Sequence, residues 1–123
     1  MTMIATSIDV LEPCERSALD PAATLFRGFG DPTRLALLVR LLDGEQRVRD
    51  LTDHVGLAQS TVSEHLRCLL GCGLVQVRVE GRSSVYSLAR EAELRQLLVA
   101  AERMLAATGD AVVLCPRSAP DAP

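Results

Sequence analysis

The sequence predicts a mostly α-helical domain with one β-hairpin, and three observations predict it. Apolar residues recur at helical spacing through most of residues 18–108, and the period changes to two only between Val75 and Leu88. Trp is absent and only Phe26, Phe29 and Tyr86 are aromatic, so Leu, Val and Ala must build the core. The 123 residues make one domain's worth of chain, able to bury a modest core and to gain from self-association.

Residues 1–17 show no sustained period and are expected to form a mobile N-terminal arm carrying Cys14. Asp20-Pro21 then reads as an N-cap followed by proline at the first helical position, with Leu19, Ala22, Ala23, Phe26 and Phe29 at helical spacing. Asp31-Pro32 repeats the signal and opens a second helix over 33–43. Its broad apolar face is Leu35, Leu38, Val39, Leu41 and Leu42, and Asp43-Gly44 stops it. Val48, Leu51, Thr52 and Val55 mark a short third helix, which Gly56 ends by turning the chain at positive φ.

After that turn Val62, Leu66, Leu69 and Leu70 define the buried stripe of a fourth helix. A short helix, a glycine turn and a second helix are the helix-turn-helix pattern, which makes the fourth helix a DNA-reading element. Gly71 and Gly73 end it. Val75, Val77 and Val79 then alternate with Gln76, Arg78 and Glu80, and beyond a Gly81-Arg82 turn comes a second strand to Leu88. The hairpin is a wing, so the fold class is a winged helix-turn-helix. Leu94, Leu97, Leu98, Ala101, Met104 and Leu105 return to helical spacing over 91–107. This amphipathic last helix and the matching first helix are expected to pair across a two-fold axis into a homodimer, the alternative being a packed monomer. Residues 109–123 form a C-terminal tail carrying Cys115, and its last seven residues have a disordered composition.

No run approaches the roughly 18 apolar residues of a membrane span, and the start lacks the charged and apolar regions of a secretory signal, so a cytoplasmic protein with no membrane partner is expected. In a reducing compartment four cysteines are ligands, redox groups or small core residues before they are structural disulfides. The net charge of −3 argues against an indiscriminate polycation. All thirteen basic residues are Arg, and between Gln59 and Arg90 the bases Arg67, Arg78, Arg82 and Arg90 outnumber Glu64 and Glu80. A local basic face on an acidic protein gives regulated DNA affinity. No Ser-His-Asp order, glycine-rich phosphate loop or carboxylate pair in a pocket-forming context supports an enzyme.

Each helical residue advances about 100°, so Cys68 and Cys72 lie on one face with Cβ atoms about 6 Å apart, close enough for two thiolates to share an ion. With Val62 at the centre of the buried face, both cysteines fall far to one side, where neither is a natural core filler; the alternative is a pair of inert small hydrophobes. Sulfur ligands without a nearby His favour a thiophilic ion such as Cd(II), Pb(II) or As(III), with Zn(II) also compatible. His54 reads as a surface or interhelical residue, and His65, on the Cys72 side of its helix, as a hydrogen-bonding one. Opposite the buried stripe, Ser60, Ser63, Glu64 and Arg67, with Gln59 and Thr61 at the helix start, can enter the major groove. Arg82, Ser83 and Ser84 at the wing tip can touch the minor groove, or form a merely solvated hairpin end.

The runs Phe29-Gly-Asp-Pro-Thr-Arg34, Gln59-Ser-Thr-Val-Ser-Glu-His-Leu66 and Glu80-Gly-Arg-Ser-Ser-Val-Tyr-Ser-Leu88, in this order, closely resemble the ArsR/SmtB family of winged-helix repressors over about residues 18–108. The resemblance implies a homodimer that binds an inverted-repeat operator and leaves it when an effector binds. The family's zinc-type site on the last helix needs His, which 91–107 lacks, and its site on the third helix needs a Cys-x-Cys element where this chain has Arg47-Val48-Arg49-Asp50. What remains is similar to the cadmium/lead sensors of the CmtR type. That likeness implies Cys68, Cys72 and the tail thiolate Cys115 as ligands, the tail thiolate coming from the partner subunit in that group; for this chain, completion within or across protomers is open. It leaves Cys14 as an auxiliary ligand or a bystander. Many members have His where this chain has Glu64, which bears on the operator sequence. Two competing readings are a redox sensor using the same cysteines and a dimeric interaction module that does not bind DNA.

Overall fold

The computed structural model describes residues 17–114. Helix α1 (Asp20–Gly28) and helix α2 (Pro32–Leu41) are followed by strand β1 (Gln46–Arg47), helix α3 (Val48–Val55) and helix α4 (Gln59–Gly71). Strands β2 (Val75–Glu80) and β3 (Ser83–Leu88) and helix α5 (Glu91–Ala107) complete the fold.

Asp31 caps α2 as the sequence predicts, its Oδ2 accepting from the backbone N–H groups of Thr33 at 2.9 Å and Arg34 at 3.1 Å. Asp20 does not cap α1. The helical bonds begin one residue earlier, with Ala23 N–H donating to the Leu19 carbonyl, so Leu19 is the N-cap and Asp20 sits in the first turn, where its charge still complements the helix dipole. Gly56 ends α3 at φ +72°, a left-handed angle that glycine adopts without strain, and its N–H donates to the Thr52 carbonyl.

The core consists of Leu37, Leu38 and Leu41 from α2 and its C-cap Leu42, Leu51 from α3, Val62, Leu66 and Leu69 from α4, and Leu94 and Leu98 from α5, closed by Leu74 and Val75. Leu35 and Val39, expected on the buried face of α2, are half-buried, because the packed stripe is centred on Leu37, Leu38 and Leu41. Arg95 fastens α5 to the end of α2 by donating from Nη2 to the Leu42 carbonyl across 3.0 Å.

The wing belongs to a three-stranded antiparallel sheet in the order β1-β3-β2, where the sequence predicts only two strands. The extra strand is two residues long, pairing Gln46 with Tyr86 and Arg47 with Val85, too short to show a period. In the hairpin Glu80 pairs with Ser83 across Gly81-Arg82, and Gly81 takes the turn's positive φ of +65°, as the first position of a type II′ turn requires. Val75 is buried but Val79 is 76 % exposed, so the alternating valine face is covered only at its root.

Among the described residues no helix is long and apolar enough to cross a membrane. After α5 the chain turns at Gly109, and Glu102 accepts a hydrogen bond from the Leu114 backbone N–H, which returns the start of the tail to α5. Leu114 packs against the core. The expected arm over 1–17, except Ser17, and the tail beyond Leu114 lie outside the described residues, and Cys14 and Cys115 with them.

Candidate metal and nucleic-acid site

The end of α4 places two cysteines one turn apart. Its last turn closes as a Schellman motif: Gly73 N–H donates to the Leu70 carbonyl and Leu74 N–H to the Leu69 carbonyl, with Gly73 at φ +77°. Cys72 is therefore the C-cap and lies just outside the helix. It keeps near-helical angles and its N–H still donates to the Cys68 carbonyl at 3.0 Å, so the four-residue spacing holds. Cys68 and Cys72 therefore stand one turn apart on the same side of the helix end, near enough for Cys68 to act on the Cys72 thiol.

Cys72 differs from its expected placement in one respect. It is half-buried and packs against the core, with its Sγ donating to the Thr24 carbonyl of α1 at 3.2 Å. The reason lies on α1, beyond the reach of a helical projection of α4. Buried Gly28 has no Cβ there; one placed at that position would stand 3.1 Å from Cys72 Sγ and 3.1 Å from Leu74 Cδ1. The bare glycine admits the sulfur beside α1. An adjoining cavity of about 510 Å³, lined by Leu25, Phe29, Cys72, Leu74 and Leu97 among others, keeps that side accessible.

Burial pushes the Cys72 thiol above its ordinary value, and the neighbouring Cys68 adds to the shift. The Arg34 and Arg27 guanidinium groups oppose it. Among the described residues no cluster of three or more His, Cys, Asp or Glu side chains is placed to hold a metal ion. Within residues 17–114 the candidate ligand set is thus two soft sulfurs.

The candidate DNA-contacting residues fall where the helical projection puts them. Gln59, Ser60, Thr61, Glu64 and Arg67 are exposed along α4, with Ser63 half-buried. At the wing tip Arg82 is exposed, and Ser83 and Ser84 are half-buried on the opening of β3. His54 is exposed on α3. Both elements of the helix-turn-helix are held by the core through Leu51, Val62, Leu66 and Leu69, which leaves the polar side of α4 facing outward.

Two groups of residues are not legible in the sequence. The first is a junction around His65: Arg34 approaches its Nδ1 with Nη1 at 3.3 Å, while donating from Nη2 to the Arg27 carbonyl at 2.8 Å and from Nε to the Gly28 carbonyl at 3.2 Å. Asp31 Oδ2 lies 3.9 Å from His65 Nε2. The hydrogen-bonding role expected of His65 is met here, and the signal for its partner is the run Asp31-Pro32-Thr33-Arg34. The second group lies at the base of the wing, where Arg78 is bound by Glu45 at 2.7 Å and by Glu80 at 3.2 Å, and Arg47 also pairs with Glu80. By sequence Arg78 belongs to the basic face; these carboxylates neutralise it, so among the exposed arginines there the contrast in charge rests on Arg67, Arg82 and Arg90.

The model of the family described as "Bacterial regulatory protein, arsR family" matches residues 31–77. The HTH-type transcriptional regulator CmtR of Mycobacterium tuberculosis is 43 % identical over 97 residues, which cover 79 % of this chain and 82 % of that protein. A probable mercury resistance operon repressor of Streptomyces lividans is 40 % identical over 105 residues, covering 84 % and 79 %. Among solved structures, the cadmium metal-sensor CMTR from Mycobacterium tuberculosis is similar with a TM-score of 0.52 and 47 % identity, over 62 % of this chain and 82 % of that one. A homodimeric winged helix-turn-helix DNA-binding domain from Mycobacterium bovis aligns with a TM-score of 0.65 and 28 % identity, over 73 % and 85 %.

Proposed function

The chain belongs to the arsR family of bacterial regulatory proteins, and from that premise we propose that it is a transcriptional repressor of which the metal-free homodimer binds operator DNA and a thiophilic ion releases it. Cd(II) or Pb(II) is the proposed effector, held by Cys68 and Cys72 and completed by Cys115 from the tail. The observation that carries the proposal is the placement of Cys68 and Cys72 one turn apart, Cys72 N–H on the Cys68 carbonyl at 3.0 Å, at the end of the helix whose outer side presents Gln59, Ser60, Ser63, Glu64 and Arg67. The cadmium sensor and the mercury repressor among the relatives are consistent with a soft cation of this kind.

The donor set fits such an ion: two thiols one helical turn apart, no His ligand beside them, and a third sulfur one residue beyond Leu114. Thiolate coordination would supply a strong, geometrically demanding cross-link. For the chain's own residues this means that Cys72 gives up its proton and its hydrogen bond to Thr24, and that the tail is drawn toward the end of α4. The reading helix and its own C-cap cannot then keep their metal-free relation to α1. Linkage requires DNA and metal to weaken one another by the same factor, typically about 1–3 kcal/mol.

The homodimer is proposed to form through α1 and α5. Phe26 is 59 % exposed and Met104 71 % exposed, and a groove of about 310 Å³ lined by apolar side chains of these helices and by Leu114 runs between them. A self-complementary apolar patch of this kind fits a second copy of the chain. Two recognition helices on one dimer would meet successive major grooves one DNA turn apart.

The testing experiment is a titration of cadmium, lead, zinc and arsenite against the reduced protein bound to a duplex selected from a random pool. Release by cadmium or lead in the wild type, and its loss in Cys68→Ser and Cys72→Ser with metal-free affinity kept, is the expected result. Release by peroxide without any metal would favour the redox reading, with Cys115 as the sulfur partner because a disulfide between cysteines four apart on a helix is strained. Absence of salt-sensitive specific binding would favour the interaction module.

A further inference from the structure

We propose that Arg34 and His65 together form the pivot through which closing a thiolate site at Cys72 becomes a tilt of α4. The inference rests on the metal-release reading above and adds the residues that transmit it.

Helix α1 is tied to α4 at two separate points, one at its middle and one at its end. One is the Cys72 thiol on the Thr24 carbonyl. The other is the Arg34 guanidinium, which holds the Arg27 and Gly28 carbonyls with two of its nitrogens and His65 with the third. Arginine can only donate, so His65 Nδ1 is the acceptor in that contact, and the ring proton then sits on Nε2, toward Asp31 Oδ2 at 3.9 Å. Arg34 itself is fixed because its own backbone N–H donates to the Asp31 side chain.

His65 and Cys72 are seven residues apart, about 10 Å along the helix axis. A ligand that captures Cys72 breaks the contact at the end of α4 and leaves the inner one in place. A rod released at its end and held near its middle rotates about the held point. Glu64 and Arg67 flank His65 on the exposed side, so rotation there re-aims the side chains proposed to meet base edges. Without the inner contact, α4 can yield to the closing site by local adjustment, and the thiolates bind their ion with little effect on DNA. Arg34 and His65 are positioning residues in this scheme, since neither is a proposed ligand or base contact.

The test measures the coupling factor, the ratio of operator affinity without and with cadmium chloride, for the full-length reduced protein. Cadmium binding is followed separately by sulfur-to-metal charge-transfer absorbance. Wild type is expected to show a factor of about 5–150. In Arg34→Gln and His65→Ala it is expected to fall at least about fivefold, with metal-free operator affinity and the absorbance band retained. Because the two residues act as one link, the double variant should lose no more than either single one. His65→Gln, which keeps an acceptor for Arg34, should restore most of the coupling. Unchanged coupling in both single variants, or losses that multiply in the double variant, would overturn the pivot. If one single variant fails to fold, the other decides: a fall in coupling supports the link and unchanged coupling refutes it. A wild type that shows the absorbance band yet keeps its DNA removes the metal-release reading and the pivot with it, an outcome seen in the wild-type arm alone.

Discussion

The Cys72 thiol donates to the Thr24 carbonyl across 3.2 Å, so the sulfur expected to take a metal ion is already engaged by the first helix. A hydroxyl can make the same hydrogen bond but is a poor ligand for a soft cation. Cys72→Ser should therefore fold like wild type and bind operator within a factor of about three, while cadmium affinity falls by orders of magnitude. Circular dichroism, operator titration and charge-transfer absorbance check the three parts. Unimpaired cadmium binding in this variant would exclude Cys72 as a ligand.

Much of this arrangement is legible in the sequence, and what is hidden shares one physical origin. Periodicity locates α4 and its stripe of Val62, Leu66 and Leu69 because one element's own spacing determines which side it buries. The same projection places Cys72 away from the core, because it contains nothing of α1, which covers that side, or of Gly28, which leaves room for a sulfur. Strand β1 is invisible for a related reason: Gln46 and Arg47 are a strand only because Tyr86 and Val85 pair with them. Arg34 stands in a recognisable run, yet its hold on His65 joins residues 31 positions apart. Local pattern reveals elements and faces; contacts between elements need the fold.

Burial and the neighbouring Cys68 hold the Cys72 thiol above its ordinary value of 9.0, so at neutral pH it is protonated and a metal must displace the proton. Cadmium affinity should rise between about pH 6 and pH 8, by about tenfold per pH unit for each proton displaced. The consequence for folding has the opposite sense. A thiol whose pKa is raised on folding contributes stability that is complete below its ordinary value and is lost as pH rises through the folded one. Metal-free wild type should thus lose stability above about pH 9, and Cys72→Ser should lack that alkaline component. A cadmium affinity flat across neutral pH would contradict the protonated thiol.

Asp31 caps α2 and stands beside His65, and its carboxyl is held below the ordinary 3.8, first by the Arg34 backbone N–H and then by that of Thr33, with burial opposing and the His65 and Arg34 charges assisting. Its contribution is therefore present above the ordinary value and lost as pH falls through the lower folded one. Asp31→Ala should cost about 1 kcal/mol, as for loss of a helix cap. Asp31→Asn keeps an acceptor for the cap and removes the titration, so its stability should fall less steeply than wild type below pH 3.8. Denaturant midpoints measured across the acid limb check both, and parallel limbs for wild type and Asp31→Asn would mean that the cap carries no charge-dependent part.

The wing's arginines are restrained by carboxylates, and that restraint has a measurable sign. Arg78 lies between Glu45 and Glu80, and Arg47 shares Glu80, all with side chains about half exposed. The Arg78 hydrogen bond, and after it that of Arg47, hold the Glu80 carboxyl below its ordinary value, so Glu80 stays ionised throughout the neutral range. A phosphate must compete with these carboxylates for either arginine. Glu80→Gln removes one competitor, freeing Arg47 and leaving Arg78 with Glu45 alone. Non-specific duplex affinity should rise, and the salt dependence of binding should steepen by about 0.9 for each additional phosphate neutralised. Because the pairs are exposed, the melting midpoint should be nearly unchanged. If affinity instead falls and the midpoint drops with it, the carboxylates act mainly to hold the wing in position, and Arg47 and Arg78 do not reach DNA.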